Sequence, residues 1–238
     1  YAGVCDSDNI VFSRDLRFHS KSFDSITSYI TNAGTCAQTS ATGNNVPTIN
    51  GGTDFTIPKN TPFTLTGAGN DADAADVPNL RYSWEQYDSG GTSYGNPPYD
   101  DSGDTNASTR PIFRAFPIVA SPSRTFPSLT YILNNANDPP DTDGSGLRTA
   151  EELPRIGRSL NFRVTIRDQR GGVNTDDVQL QVATNAGPFV VTAPESPVTW
   201  TGGANQTVSW SVAATDIGPV SCANVKISLS TDGGNTFP

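Results

Sequence analysis

The chain has 238 residues, which is enough for one large domain or two ordinary ones with a buried core. Hydrophobic residues make up 34% of it and charged residues 16%, and the formal net charge is −9 at pH 7. This composition predicts a folded, loop-rich protein and not a disordered one, and the acidic charge argues against nucleic acid or an anionic membrane surface as partner.

The first block, residues 1–36, contains the one segment with a convincing helix pattern. In SFDSITSYITNAG, Ser22 is the expected N-cap, an apolar pair lies at Ile26 and Ile30, and Gly34 is the expected terminator. The sequence therefore predicts a short helix that precedes any β-structure.

The first block is also flanked by two of the three cysteines, Cys5 and Cys36. In an exported protein we expect a disulfide between them, and closing a loop of about 30 residues would contribute roughly 3 to 4 kcal/mol. Two free buried thiols are the alternative. Cys222 lies in an alternating segment and is predicted to be a small core residue.

A polar linker without hydrophobic periodicity, residues 37–46, leads into residues 47–186, which are predicted to be β-structure. Alternating segments are separated by Gly, Pro and Asn turns, and they read PTINGGTDFTIP, FTLTG, LRYSWEQYD, SLNFRVTIRD and VQLQVAT. Trp84 lies in a central segment, where a sandwich needs a large core residue. This block predicts an immunoglobulin-like or cadherin-like β-sandwich.

The segment SLNFRVTIRD makes the predicted alternation specific. Side chains of a strand point to opposite faces in turn. One face is expected to carry Phe162, Val164 and Ile166, and the other Asn161, Arg163 and Thr165.

A long insertion, residues 88–158, makes this domain larger than the roughly 100 residues that a sandwich needs. Its first part is polar. Its second part carries apolar side chains at Phe113, Phe116, Phe126, Leu129 and Ile132. Because exposing so many apolar groups would cost several kcal/mol, this part is predicted to pack on the sandwich.

The third block, residues 187–238, again has alternating segments, with Trp200 and Trp210 as core candidates. About 50 residues supply only four or five strands, which are too few for a second sandwich. We expect the N-terminal part of a second immunoglobulin-like β-domain, with the remainder beyond Pro238. The fold class is thus mainly β: a helical segment, one sandwich with an insertion, and a partial second sandwich.

Residues 141–152, DTDGSGLRTAEE, have the oxygen-ligand spacing of an EF-hand calcium loop. The candidate ligands at its first, third, fifth and twelfth positions are Asp141, Asp143, Ser145 and Glu152. Two features oppose this interpretation. Arg148 takes the eighth position, which is normally apolar, and the prolines just before the loop exclude an entering helix. A solvated acidic turn is the alternative.

A second acidic segment, NDADAAD, lies between two predicted strands and brings Asp71, Asp73 and Asp76 into one turn. Oxygen ligands in flexible loops are what calcium prefers, so Asp71 and Asp73 are candidate ligands, with an ordinary turn as the alternative. Three further aspartates are expected on the far side of the sandwich, at Asp168, Asp176 and Asp177.

Residues for enzymatic chemistry are scarce. His19 is the single histidine, so a zinc site built on several histidines is excluded, and a Ser-His-Asp triad cannot be assembled without His19. A surface or helix-entry position is expected for this histidine. The C-terminal STDGGNTF is similar to one Asp-box hairpin of sialidase-type propellers, for which a plain hairpin is the alternative. No catalytic residue is predicted.

The opening stretch YAGVCDSDNIVFSRDLRFHSKSFDSITSYI resembles the segment after the Met-turn in bacterial reprolysin-like metzincin proteases. In that family the turn leads into Tyr-Ala-Gly and a Cys, then into a closing helix and a second Cys. The matching positions are Tyr1, Ala2, Gly3, Cys5, the step Phe18, His19, Ser20, and the helix from Phe23. Several later stretches, including YSWEQYD and LNFRVTIRDQRGG, resemble the accessory region of the same proteins.

The resemblance implies a non-catalytic C-terminal accessory fragment of a secreted or cell-surface bacterial zinc metalloendopeptidase. Zinc is then expected only in a catalytic domain upstream of Tyr1, which would be one partner of this chain. The sandwiches would position the enzyme or bind a protein or polysaccharide surface, and calcium would stiffen their loops. No apolar run approaches the roughly 20 residues of a membrane span. The alternatives are an adhesin or polysaccharide-binding module without a protease, and a glycosidase accessory domain.

Overall fold

A computed structural model of the chain describes residues 18–34, 36, 38, 40–88, 108–109, 111–133, 151–196, 198–234 and 236–237. The described chain is mainly β. The two α-helices in these ranges are α1 (Ser20–Asn32) and α2 (Leu129–Leu133), and a short 3₁₀ helix spans Val77–Asn79. The strands are β1 (Thr48–Asn50), β2 (Phe55–Pro58), β3 (Phe63–Thr66), β4 (Ala68–Asn70), β5 (Arg81–Gln86), β6 (Ser123–Phe126), β7 (Ser159–Arg167), β8 (Val173–Ala183), β9 (Val190–Ala193) and β10 (Ser209–Ser211).

Two layers of strands enclose one core. The larger sheet has the order β2-β8-β7-β5, in which β2 runs parallel to β8 and the other neighbours are antiparallel. Two antiparallel pairs, β3–β6 and β1–β4, supply the strands opposite to it. Buried apolar side chains of both layers form one cluster, so the prediction of a mainly β, sandwich-like fold is confirmed. The immunoglobulin-like details and the domain boundaries stay predictions.

The core is centred on aromatic rings contributed by both layers and by the insertion. Phe126 of β6 and Phe162 of β7 are fully buried, with ring centroids 4.8 Å apart. Phe113, from the insertion, lies 5.2 Å from Phe126 and is 4% exposed. Because burying a Phe side chain contributes about 1.5–3 kcal/mol, these rings fasten the insertion to the sandwich. The prediction that the second part of the insertion packs there is confirmed, although Leu129 is exposed.

The predicted alternation of β7 is confirmed on its inner face, where Phe162, Val164 and Ile166 are fully buried. Trp84 of β5 is also buried, and its indole Nε1–H donates to the carbonyl of Pro122. Thr165 departs from the alternation, since it faces outward and is nevertheless completely buried. Its cover is helix α1, which lies on the outer face of the sheet.

Helix α1 occurs where the sequence predicts it, but it begins earlier. Its N-cap is His19, not Ser22, and no side chain of the helix's own segment caps it. Ile26 and Ile30, the predicted apolar pair, are 38% and 58% exposed. The helix is therefore held by polar contacts of its first two turns and not by its apolar face.

The third block contains one ladder in its described residues, the antiparallel pair β9–β10. Three predictions made for this block are wrong or incomplete. Trp200 is 42% exposed and Cys222 is exposed, so neither is a core residue, and Trp210 is only half-buried. The reason is that no second layer of described strands covers this ladder.

Candidate functional site

Asp71 is one of the two buried carboxylates of the acidic segment that comes after β4. The residue is 5% exposed, and its Oδ1 accepts a hydrogen bond of 2.8 Å from the backbone N–H of Asp73. Its other oxygen, Oδ2, is buried without a hydrogen-bond partner among the described residues. The predicted pair Asp71 and Asp73 is thus brought together in one tight turn.

Asp73 fastens this turn to the segment before β1. Its Oδ2 accepts from the backbone N–H of Asn45 at 2.8 Å, and its Oδ1 accepts from Asn45 Nδ2 at 2.9 Å. These two hydrogen bonds from Asn45 hold the pKa of Asp73 below its usual value. The C-terminal part of the predicted linker is therefore tied to the sandwich.

Asp168, at the end of β7, lies at the same junction. It is completely buried, and its Oδ2 accepts a hydrogen bond of 2.6 Å from Asn44 Nδ2. The backbone N–H groups of Arg170 and Gly172 donate to its Oδ1 at 2.7 and 2.9 Å. Burial alone would raise the pKa of Asp168, but the hydrogen bonds from Asn44 and the backbone outweigh it and the pKa is lowered.

The prediction that Asp168 lies on the far side of the sandwich is wrong. The turn between β7 and β8 folds back towards the segment before β1, where Asn44 meets the carboxylate. Gly172 permits this close turn, because a Cβ at that position would lie 2.2 Å from Asp168 Oδ2. Asp176 and Asp177 have other roles: Asp176 accepts from Gly51 N–H, and Asp177 pairs with Arg163.

The charge of Asp76 is balanced by an ion pair with Arg170. It is 3% exposed, and its Oδ1 lies 3.2 Å from Nη1 of Arg170. We therefore regard it as a structural ion pair at the edge of the junction and not as a candidate ligand.

Only the last two residues of the EF-hand-like segment, Glu151 and Glu152, are among the described residues. Asp141, Asp143 and Ser145 lie outside the described residues, so that site stays a prediction. Glu152, the candidate twelfth ligand, is 3% exposed, and its backbone N–H donates to the carbonyl of Ile112 at 3.3 Å. Its neighbour Glu151 is completely buried. The end of the segment is therefore held inside the sandwich.

The first turn of α1 meets the outer face of the large sheet through polar contacts that the sequence alone did not indicate. The backbone N–H of Ser20 donates to Glu85 Oε2 at 3.0 Å, and Ser20 Oγ lies 3.2 Å from Thr165 Oγ1. Asp24 accepts from Arg163 Nη1 at 2.6 Å and from the Tyr87 hydroxyl. In the sequence, the alternating polar side chains of β5 and β7 look like those of a solvent-exposed strand face. They therefore did not indicate that α1 covers this face.

His19 lies at the same contact, with Nδ1 3.6 Å from Glu85 Oε2, so the expected helix-entry position is confirmed. The Cys5–Cys36 disulfide stays a prediction because Cys5 lies outside the described residues. Cys36 is exposed and is not bonded to Cys222.

Comparison with known proteins adds no identity. No protein-family model matches the chain, and no curated protein matches it. In the described ranges, no group of three or more His, Cys, Asp or Glu side chains is arranged to hold a metal ion. No described helix has the length and apolar character needed to cross a membrane.

The Asp-box-like segment has the internal hydrogen bonds of a closed turn. Ser230 Oγ accepts from Gly234 N–H at 2.8 Å, and Asp232 Oδ1 accepts from Thr236 N–H at 2.9 Å. A Cβ at Gly234 would lie 2.5 Å from Leu133 Cδ2, so this turn contacts α2 of the insertion. These bonds fit a structural turn and bring no ligand-binding group together.

Proposed function

We propose that this chain is the non-catalytic accessory segment of a secreted zinc metalloendopeptidase, in which the sandwich holds the segment before it in a fixed orientation. The observation that supports this proposal is the docked first turn of α1, with Ser20 buried against β5 and β7. The protease itself rests on the resemblance of the opening stretch, and zinc is assigned to no residue of this chain.

The docking is specific because it is polar and partly buried. The first N–H groups of a helix have no partner inside the helix, and the Glu85 carboxylate supplies one to Ser20 from a neighbouring strand. Leaving such a buried donor without its acceptor would cost about 1–3 kcal/mol. Sliding or turning the helix on the sheet would break this hydrogen bond, so the contact selects one orientation.

The pair formed by Asp24 and Arg163 adds a second anchor one turn further along the helix. Arg163 is shared, because Asp177 of β8 accepts from its Nε at 2.6 Å. Burial alone would raise the pKa of Asp24, but hydrogen bonds from Tyr87 and Arg163 lower it. Because Asp24 is partly exposed, we expect the pair to contribute more to the orientation of α1 on the sheet than to the stability of the fold.

Hydrogen exchange of the α1 amides tests the positioning role. In the wild-type chain we expect protection in α1, and in Glu85→Ala, Asp24→Ala we expect this protection to fall while that of β7 and β8 is kept. Glu195→Gln, an exposed change in the third block, is the matched control. Equal protection of α1 in the wild type and the double variant would contradict the positioning role.

The protease assignment has separate tests. The coding sequence upstream of Tyr1 is expected to contain His-Glu-x-x-His-x-x-Gly-x-x-His, and its absence would refute the assignment. The purified chain is expected to leave casein intact with or without added zinc. Reproducible, chelator-sensitive cleavage would show that the chain is not a non-catalytic segment.

A further inference from the structure

The junction between the segment before β1, the acidic turn and the β7–β8 turn contains two buried oxygen atoms without a hydrogen-bond partner in the described chain. They are Oδ2 of Asp71 and Oδ1 of Asn44. A buried acceptor without a donor costs about 1–3 kcal/mol, and more when it is charged. Both atoms are hard oxygen acceptors, the kind of group that a bound cation compensates.

The two oxygens belong to one connected network. Asn44 Nδ2 donates to Asp168, the next residue Asn45 donates to Asp73, and the Asp73 N–H donates to Asp71. The orientation of the Asn44 amide is set by this network, because its Nδ2 must face the Asp168 carboxylate and its Oδ1 must then face away. The two unpartnered oxygens therefore belong to residues of the same hydrogen-bond network.

The local charge also favours a cation. Three carboxylates, those of Asp71, Asp73 and Asp168, belong to this network, and the charge of Asp168 acts on Asp73. The cationic side chain of Arg170 also acts on Asp73, but it forms its ion pair with Asp76. Each of the three receives hydrogen bonds from neutral groups, which leave its charge in place. Like charges in one network repel one another, and a bound counter-ion would relieve that repulsion.

We propose that this junction binds a divalent cation of the calcium type, with Asp71 Oδ2 and Asn44 Oδ1 as ligands and the carboxylates of Asp73 and Asp168 beside them. Carboxylate and amide oxygens are the ligands that calcium accepts, in irregular geometry and with water completing the shell. There is no thiolate or imidazole in the network, so the ligand set does not suit zinc. The proposal does not depend on the protease assignment.

Binding would also fix the path of the chain between α1 and β1. Asn44 comes from that connection, whereas Asp71 and Asp168 come from two separate turns of the sandwich. A cation that bridges them would join the connection to the sandwich more firmly than the present hydrogen bonds do. The site would then be a clamp on the connection and not a catalytic centre.

Titration calorimetry with calcium chloride, on chain first stripped with EDTA, tests the site. We expect saturable binding in the wild type and in the exposed control Glu195→Gln. Loss of an outer partner of a metal already costs about 10- to 100-fold in affinity, so Asn44→Ala and Asp71→Asn are each expected to weaken binding at least tenfold. Asp71→Asn is isosteric, and circular dichroism would establish that it folds.

Asn44→Asp separates a ligand from a merely structural residue. Without calcium it places a carboxylate against Asp168 and is expected to lower Tm, and with calcium it is expected to recover that loss and bind more tightly than the wild type. The double change Asp141→Ala, Asp143→Ala tests the other acidic segment. No saturable binding, or binding that Asn44→Ala and Asp71→Asn leave unchanged, would overturn the proposal.

Discussion

The ion pair between Glu151 and Arg124 gives the sharpest test of how the described part of the insertion is held together where it packs on the core. Glu151 is completely buried and lies 2.5 Å from Arg124 Nη2. The Arg124 guanidinium also donates to the carbonyls of Trp84 and Arg114, and it stacks over the ring of Phe126 at 4.3 Å from the centroid. This pair joins β6 to the segment that leads into β7.

Burial governs the ionisation of both partners. Loss of solvent lowers the pKa of Arg124 to about 10 even though Glu151 opposes the change. Loss of solvent likewise raises the pKa of Glu151 against the attraction of Arg124. Each charge is therefore costly in the interior and depends on the other, which is the condition under which removing one partner is most damaging.

We expect Glu151→Ala to lower the free energy of unfolding by about 3–5 kcal/mol, because it leaves a buried guanidinium uncompensated. It also leaves the backbone N–H of Ser128, which donates to Glu151 Oε2, without an acceptor. Glu151→Gln keeps the shape and one acceptor, so its loss should be smaller, about 1.5–3 kcal/mol. Either loss is large beside the roughly 5–15 kcal/mol by which a domain is stable.

Urea unfolding followed by tryptophan fluorescence measures these differences, with Trp84 as a reporter inside the core. Glu195→Gln, an exposed charge change, is the control and should fall within about 0.5 kcal/mol of the wild type. A loss below about 1 kcal/mol for Glu151→Ala would match an exposed ion pair. That result would refute the reasoning that burial makes this pair essential.

Two further predictions concern packing and pH. Gly69→Ala should destabilise the sandwich by about 1–3 kcal/mol, because the added Cβ would lie 2.4 Å from Ile166 Cδ1 and 2.6 Å from the Tyr82 hydroxyl. The loss should be seen as a lower Tm, and an unchanged Tm would contradict this packing. Asp168 has a lowered pKa when folded, so its contribution is present above its unfolded pKa of about 3.9 and is lost as the pH falls through the lower folded value. In EDTA, Asp168→Asn should therefore lose less stability than the wild type between about pH 5 and 2 in urea titrations, and an equal loss would show that other carboxylates account for it.

Local pattern was enough for much of the fold. The period-two alternation of β7, the buried Trp84 and the helix near residues 20–32 could all be predicted, since each is encoded within a few neighbouring residues. The apolar content of the insertion likewise predicted that Phe113 and Phe126 are buried. In each case the free-energy cost of exposing an apolar side chain predicts that it is buried, whichever distant segment it packs against.

What the sequence could not supply was which distant segments meet. Asn44 and Asp168 are 124 positions apart, and nothing in either segment indicates that the β7–β8 turn folds towards the segment before β1. Glu85 caps a helix 65 positions away, and the helix therefore begins at Ser20 and not at the capping residue that its own segment offers. The sequence by itself determined where strands, helix and buried apolar residues lie, because short-range periodicity and the hydrophobic effect act through neighbouring residues. Only the tertiary structure decided which polar groups share the candidate cation site and the docked helix, because those contacts depend on how the two layers close around the common core.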